Sequence, residues 1–420
     1  MSIYQQALHH DPALLAAFSS RQAVGEQAIQ ARAHFRPQAN ITADTGHVWQ
    51  DQSAQLFGGK RDYNSHGYTL NITQPLYRRQ HFIQRYQANI DINSADEEYA
   101  LTKQNLIVRT ASGYFDVLSR QADLAFSEAE LEAITLQYEQ ATSRLEVGVA
   151  TITDVHEAQA AADLARAQII TAKNNLDNSL VRLAEITGKP YQDVASLDLA
   201  TLKEDITLIR PQPEDKQQWQ DQALAHNLSL KIAQLSVAQA EQQILLQQSG
   251  HYPSLDLVGQ HRYSSVSDGG FGASKTKQSS LSLQLNIPLY EGGAVNSRTR
   301  QATFRLNQAM HQQEQKQREV MRQSREAYNS VLSGLSRVKA LAQAVKSNES
   351  ALETTEAGYD VGTRTTVDVL NVRRDLFRAR RDYTKAKYNY IVDTLKLKQA
   401  VGQISAQDLI DINQWLENKE

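Results

Sequence analysis

Two short segments of the sequence place glycine, hydroxyl and carboxylate side chains at the same spacing. Each has a glycine, a threonine three residues later and an aspartate three residues after that: Gly148, Thr151 and Asp154, and Gly362, Thr365 and Asp368. Glycine often ends a helix, and a threonine three residues before an acid resembles a capping box at the start of the next helix. The aspartate also suits the positive end of the helix dipole. Each segment is therefore predicted to be the tip of a helical hairpin.

No arrangement typical of an enzyme accompanies these segments. The chain has 420 residues, no cysteine and a net charge of −3. This composition excludes disulfides and thiolate chemistry and argues against a general nucleic-acid binder. The 11 histidines show no metal-ligand spacing, and no phosphate-binding loop or catalytic constellation is found. We therefore expect no enzymatic activity, no cofactor, no metal and no nucleic-acid partner.

The prolines indicate where long helices run. The sequence has none between Pro75 and Pro190 and none after Pro288. We predict long helices over residues 80–147 and 294–359, each on the order of 100 Å at about 1.5 Å per residue. The shorter helix after each tip has a heptad seam, over residues 155–186 and 369–400. Because the heptad does not drift, coiled-coil packing is favoured over an ordinary amphipathic helix.

The chain also repeats itself at an offset of 213–216 residues. Recurring pairs are Pro75 and Pro288, Gly148 and Gly362, Asp154 and Asp368, and Gly188 and Gly402. This period is far too long for a solenoid. We predict two structural halves, residues 1–216 and 217–420, each built as helix, strand pair, long helix, tip and shorter helix.

The apolar period changes from 3.6 to 2 in four runs, which predicts four strands. The runs are about 7–11 residues long: 39–49, 68–74, 254–263 and 280–287. Polar segments rich in glycine and serine, 50–62 and 264–277, are expected to be the loops that join them in pairs.

The apolar face of these strands has two interpretations. A soluble sheet would need a covering layer, but the helices already bury their seams against one another. We therefore favour a membrane β-barrel that is apolar outside and polar inside. Aromatic residues near the strand ends fit an interfacial girdle: Trp49, Tyr68, Tyr77, Tyr263, Phe271 and Tyr290. Four strands cannot close a barrel, so copies of the chain must share it.

The sequence resembles the TolC family of outer-membrane export ducts. The resemblance is carried by residues 144–155 (RLEVGVATITDV) and 357–370 (AGYDVGTRTTVDVL), with support from 172–178, 251–257 and 287–293. It covers essentially the whole chain in order. It implies an α+β membrane protein that forms a homotrimer, with a shared twelve-stranded β-barrel in the outer membrane. Long coiled-coil hairpins would form an α-helical barrel that extends into the periplasm.

The resemblance also divides the chain into regions. The β-barrel strands would lie in 38–75 and 253–288. The α-helical barrel would comprise 12–37, 76–187, 219–252 and 289–402, and an equatorial linker region would comprise 188–218 and 403–420. The N-terminus has neither a basic segment nor an apolar segment typical of a signal peptide, so the sequence is expected to be either cytosolic or a mature chain. The resemblance favours a mature outer-membrane chain.

The function that the resemblance implies is passive export. The chain would be the outer-membrane channel of a tripartite efflux or type I secretion system, exporting small molecules, proteins or both. Its partners would be outer-membrane lipid, a periplasmic adaptor that opens the channel at the tip, and an inner-membrane pump or ABC exporter. From the residues alone, a soluble coiled-coil scaffold and a stand-alone outer-membrane pore remain alternatives.

The resemblance also suggests roles for residues at the tips. In the family, residues that match four positions hold the entrance shut: Thr153, Asp154, Tyr359 and Arg364. The tip glycines, here Gly148 and Gly362, contact the adaptor. Asp368 matches the first of two aspartates that line the closed entrance, but the second position is Asn371. This departure predicts one carboxylate ring in the pore rather than two.

Overall fold

The computed structural model describes residues 2–52, 59–191, 201–202, 208–269 and 272–417. The first half contains α1 (Ser2–His10), α2 (Pro12–Ala33), β1 (Gln38–Gln52), β2 (Gly59–Arg78), α3 (Arg79–Glu146) and α4 (Ile152–Thr187). The strand β3 (Thr201–Leu202) lies in the linker between the halves. The second half contains α5 (Lys216–His226), α6 (Leu228–Gln248), β4 (Ser254–Gly269), β5 (Gly272–Asn286), α7 (Ala294–Asp360) and α8 (Thr366–Ala400), followed by α9 (Ala406–Asn413) and β6 (Leu416–Glu417). Parts of the predicted linker, 192–200 and 203–207, lie outside the described residues, as do Phe271 and 418–420.

The contacts divide the chain into two compact units. We call residues 1–19, 97–231 and 314–420 the helical unit, and residues 20–96 and 232–313 the sheet unit. The helical unit contains α4 and α8 and much of α3 and α7, and the sheet unit contains β1, β2, β4 and β5. Among the helices of the described residues, none is both long and apolar enough to cross a membrane.

The four long strands form one antiparallel sheet in the order β1-β2-β4-β5. The predicted pairing of adjacent runs into two hairpins is confirmed, and the halves of the chain meet where β2 pairs with β4. The predicted strand lengths were wrong, because the strands have 15, 20, 16 and 15 residues. Most of the described part of the predicted loops 50–62 and 264–277 is strand. Backbone pairing continues there although the apolar alternation has ended, so periodicity alone missed it.

The register places the apolar side chains of all four strands on one face. Ile41 pairs with Leu70, and Leu257 pairs with Leu283, so these side chains point to the same side of the sheet. Ile41 is 68% exposed and Leu283 is 62% exposed. No other described segment of the sheet unit covers this face. On the opposite face Gln260 donates a hydrogen bond to Asn71 at 3.0 Å, which is the predicted polar side.

The predicted long helices are present as α3, with 68 residues, and α7, with 67. The heptad seam of α4 is buried at most of its positions, including Val155, Ala158, Ala162 and Ala165, while Ile169 is half-buried. Small residues in this seam allow the helix to approach its neighbours closely. The principal core of the helical unit combines side chains from both halves.

The internal repeat is visible in the way each half interrupts its first helix. Asp11, between α1 and α2, accepts a hydrogen bond from the Leu14 backbone N–H at 2.9 Å. Asn227, between α5 and α6, accepts one from Leu230 at 3.2 Å. Both side chains therefore cap the following helix. The helix α9 and the two-residue pair β3–β6 were not predicted, since segments this short carry little periodicity.

Candidate functional site at the hairpin tips

Both hairpin tips turn through a glycine in the left-handed region. Gly148 has φ 78° and Gly362 has φ 79°. At the first tip the Val149 N–H donates to the Arg144 carbonyl at 2.9 Å, and the Gly148 N–H donates to the Leu145 carbonyl at 2.9 Å. The second tip repeats both bonds, so each long helix ends in a Schellman motif. A Cβ atom at either glycine would meet nothing within 4 Å, so both turns have an open surface.

The predicted capping boxes are confirmed at both tips. The Asp154 carboxylate accepts from the Thr151 backbone N–H at 2.8 Å, and the Thr151 hydroxyl accepts from the Asp154 N–H at 3.3 Å. The corresponding distances between Thr365 and Asp368 are 2.9 Å and 3.2 Å. Each threonine and aspartate therefore satisfies backbone groups at the first turn of α4 or α8.

These hydrogen bonds stabilise the ionised aspartates. The hydroxyl and the backbone N–H of Thr151 lower the pKa of Asp154, and the Thr366 hydroxyl adds to this effect. The backbone N–H and hydroxyl of Thr365 lower the pKa of Asp368, with a further contribution from the charge of Arg364. Both carboxyl groups are therefore negatively charged at neutral pH.

The first helical hairpin (α3 and α4) and the second (α7 and α8) contact each other at Tyr359, near the end of α7. The Thr366 hydroxyl donates to the Tyr359 hydroxyl at 3.4 Å. The Thr366 hydroxyl also lies within hydrogen-bonding reach of the Asp154 carboxylate on the first hairpin. The guanidinium group of Arg144 lies over the Tyr359 ring, 4.4 Å from its centre. Arg144 also forms an ion pair with Asp360 at 3.5 Å. The structure thus brings two of the predicted gate residues, Asp154 and Tyr359, into one patch.

The other predicted site residues lie apart from this patch. Thr153 is exposed, and within the described part of the chain its side chain makes no hydrogen bond. Arg364 is exposed beside Gly358, at the second tip, where its charge acts on Asp368. Asn371 is exposed on α8, three residues after Asp368. Within a single chain, therefore, Arg364 and Asp154 do not meet.

Three residues of this patch were missed by the sequence reasoning: Arg144, Asp360 and Thr366. Arg144 lies in the last turn of α3, where a cation is expected for the helix dipole alone. Its partners follow more than two hundred residues later, and no local spacing signals such a contact. Arg144 and Asp360 lie in the last turns of the two long helices that the repeat relates, and this correspondence could have indicated their contact.

A cavity of about 370 Å³ lies between α3, α4 and α8 in the helical unit. Its lining is strongly charged, with two acids on α3 and basic side chains on α8: Asp123, Glu130, Arg374, Arg378, Arg381 and Lys385. Burial raises the pKa of Asp123 and of Glu130, and the nearby arginines oppose this effect. Within the described residues no group of acids and histidines is arranged to hold a metal ion.

Comparison with known proteins identifies the family. The sequence profile of the family described as outer membrane efflux protein matches residues 3–189 and 219–403, which correspond to the two halves of the chain. The outer membrane protein TolC of Vibrio cholerae is 38% identical over 418 residues, covering 99% of this chain and 93% of that protein. The chain belongs to the outer membrane efflux protein family. The resemblance inferred from the tip segments is therefore confirmed.

A more distant relative and a solved structure of similar fold are also found. The alkaline protease secretion protein AprF of Pseudomonas aeruginosa is 28% identical over 415 residues, covering 97% of this chain and 85% of that protein. The crystal structure of the outer membrane protein VceC from Vibrio cholerae has a TM-score of 0.79 at 20% identity, covering 96% and 95% of the two chains. The predicted fold of long helices, four antiparallel strands and a two-fold repeat is confirmed, and so is the outer-membrane location. The soluble scaffold considered from the sequence is excluded by this location.

Proposed function

We propose that three copies of the chain assemble into a passive outer-membrane channel for efflux or type I secretion. Its tip would dock a periplasmic adaptor, and an inner-membrane pump or ABC exporter would supply the energy. The observation that carries the proposal is the four-stranded sheet of the sheet unit. Its apolar face is uncovered, and its outer strands β1 and β5 each have one edge without a partner strand in the described part of the chain.

The apolar side chains follow an oblique band across the sheet. On β1 they centre on Ile41, which pairs with Leu70 on β2, and the same row continues to His261 on β4 and Ser279 on β5. On β5, however, the apolar residues centre on Leu283, four residues farther along. A shift of about 13 Å along the strand across about 14 Å of sheet corresponds to about 40°. Transmembrane barrel strands have a tilt of about this size, so the band would lie level in a membrane.

The open edges indicate how the barrel closes. An exposed edge strand of 15 residues is an unfavourable feature unless another strand pairs with it. Pairing β5 of one chain with β1 of the next satisfies both edges at once. Three chains would supply twelve strands, which exceeds the roughly eight that a barrel needs, whereas one chain is too few.

The range of cargo follows from the relatives. The family name describes efflux, and the name of one relative describes secretion of a protease. We propose that this chain serves export of small molecules, proteins or both. The sequence contains no phosphate-binding loop that could couple transport to nucleotide hydrolysis, and we assign the chain a conducting role with no energy source of its own.

The proposed entrance gate lies at the tips. Tyr359 and Asp154 share a patch within one chain, and Thr153 and Arg364 are exposed where a neighbouring chain can reach them. Each such hydrogen bond contributes about 1 kcal/mol net, so closure is a modest bias that a docking partner can overcome. The open surfaces of Gly148 and Gly362 are the proposed adaptor contacts.

The test is electrical recording from the purified protein in planar bilayers, together with its native mass in detergent. We expect a trimeric mass and a small single-channel conductance that rises when Tyr359→Phe and Arg364→Ser are combined. A detergent-free monomer without conductance would contradict the channel. Conductance that does not respond to the double substitution would place the gate elsewhere. Response to an added adaptor distinguishes the proposed tripartite channel from a stand-alone pore.

A further inference from the structure

One side chain of the first hairpin holds the end of the second. Arg144, in the last turn of α3, stacks on Tyr359 with 4.4 Å between the guanidinium carbon and the ring centre. It also forms an ion pair with Asp360 at 3.5 Å. Tyr359 and Asp360 are the last two residues of α7. A cation–π contact and an ion pair therefore join the ends of the two long helices.

A second connection between the hairpins lies farther from the tips. Arg373 of α8 donates to the backbone carbonyl of Ala133 on α3 at 3.0 Å, and it forms an ion pair with Glu356 of α7. Leu370 packs in the small cluster around Ile134. This connection combines a buried apolar side chain with a backbone acceptor, so the hairpins remain attached there whatever happens at the tips.

The two connections differ in their exposure to solvent. The side chains of Arg144 and Asp360 are 38% and 74% exposed, whereas Arg373 is 17% exposed. Exposed ion pairs are weak and are easily exchanged for water or for another partner. The contact at the tip is thus the one that a small force can break and remake.

We infer that Arg144 restrains the channel entrance, and that the tips of each chain separate when its contacts with Tyr359 and Asp360 break. This inference rests on the proposed channel function. Arg144 acts within one chain, because both of its partners belong to the same chain. Arg364 has no ion-pair partner within 4 Å in the described residues and so remains available to a neighbouring chain.

Substitutions separate the two contacts of Arg144. In planar bilayers we expect Arg144→Gln to raise the open-to-closed equilibrium constant by about 2- to 5-fold per chain, because the loss of an exposed cation–π contact changes an equilibrium by about that factor. Arg144→Lys keeps the ion pair and weakens the stack, so its shift should be smaller. Tyr359→Phe keeps the aromatic face and loses only the hydroxyl bond to Thr366, so Arg144→Gln should still increase opening in that background.

Arg166 provides a matched control. It is an exposed arginine of the same hairpin that forms an ion pair with Asp163, in its own helix α4. Arg166→Gln removes the same charge without touching the second hairpin, and it is expected to leave the conductance unchanged.

The absence of cysteine from the chain allows a direct test by cross-linking. Arg144→Cys and Asp360→Cys together, joined by a bis-thiosulfonate reagent, should hold the channel at low conductance until a reductant is added. The same reagent on Asp163→Cys and Arg166→Cys should have no effect.

Two results would overturn the inference. If Arg144→Gln conducts like the unsubstituted channel while Tyr359→Phe with Arg364→Ser conducts more, Arg144 has no gating role and the channel function stands. If the cross-linked Arg144→Cys and Asp360→Cys channel opens as readily as the reduced one, separation of the tips is not the opening motion. Absence of conductance in every variant would overturn the proposed function as well.

Discussion

Gly188 and Gly402 occupy the same position in the two halves of the chain, and each lies against the end of another helix. A Cβ atom at Gly188 would lie 2.8 Å from the Cβ of His10, the last residue of α1. A Cβ atom at Gly402 would overlap the carbonyl oxygen of His226, the last residue of α5. Both glycines have positive φ, 69° and 76°. The repeat is therefore preserved in the place of these close contacts, although Gly188 meets a side chain and Gly402 meets backbone atoms.

Gly402→Ala is expected to destabilise the helical unit severely. The left-handed conformation costs alanine about 1 kcal/mol, and the added methyl group meets a backbone oxygen that cannot rotate away, which adds about 1–3 kcal/mol. Gly362→Ala is the matched control, because its φ is 79° and its Cβ would meet nothing within 4 Å. Thermal unfolding followed by circular dichroism should show a much larger loss for Gly402→Ala. Equal melting temperatures would show that the contact at His226 relaxes.

The face of the sheet that contacts lipid can be tested at two adjacent residues of β5. Leu283→Arg places a charge on the apolar face and is expected to cost about 2–4 kcal/mol near the membrane midplane, which should block trimer assembly. Gln284→Arg places the same charge on the opposite face, beside the cross-strand partner Asp256, and should be tolerated. The fraction of trimer recovered from outer membranes distinguishes them. Equal damage by both would mean that the faces are assigned wrongly.

The cap at the start of α4 should depend on pH. Hydrogen bonds to Thr151 lower the folded-state pKa of Asp154 below its unfolded-state pKa. The ionised carboxylate therefore increases the free energy of unfolding. The carboxylate's contribution to the free energy of unfolding is present at neutral pH. It is lost as the pH falls below about 4 and through the folded-state pKa. The melting temperature of Asp154→Asn should therefore be lower than that of the unsubstituted protein at pH 7, and the difference should shrink toward pH 3. A constant difference would show that the charge is not what stabilises the cap.

Local rules predicted the parts of this structure that are set by neighbouring residues. Proline spacing located α3 and α7, and the spacing of Thr151 and Asp154 predicted a capping box that the structure confirms. The strand ends were missed because backbone pairing extends beyond the apolar band. Arg144 was missed because its contacts depend on how two hairpins pack, and neither hairpin encodes that packing in its own periodicity. The roles of the gate residues remain predictions.

Asp368 is expected to form a ring of carboxylates in the assembled channel. In a three-fold assembly it would occur three times around one pore, and three like charges at a constriction attract cations and can jointly bind a multivalent one. Bonds from Thr365 lower the pKa of Asp368 within each chain, so the ring is charged at neutral pH. Repulsion between the three carboxylates acts in the opposite direction and raises it.

Cation selectivity should therefore be present at pH 7 and weaken as acid protonates the ring. Because Asn371 stands where a second acid would add another ring, block by trivalent cations should be weak. In bilayer recordings Asp368→Asn should abolish both selectivity and block, and Asn371→Asp should tighten the block. Asn keeps the shape of the side chain at position 368, so selectivity that survives Asp368→Asn would mean that this residue serves only to cap α8.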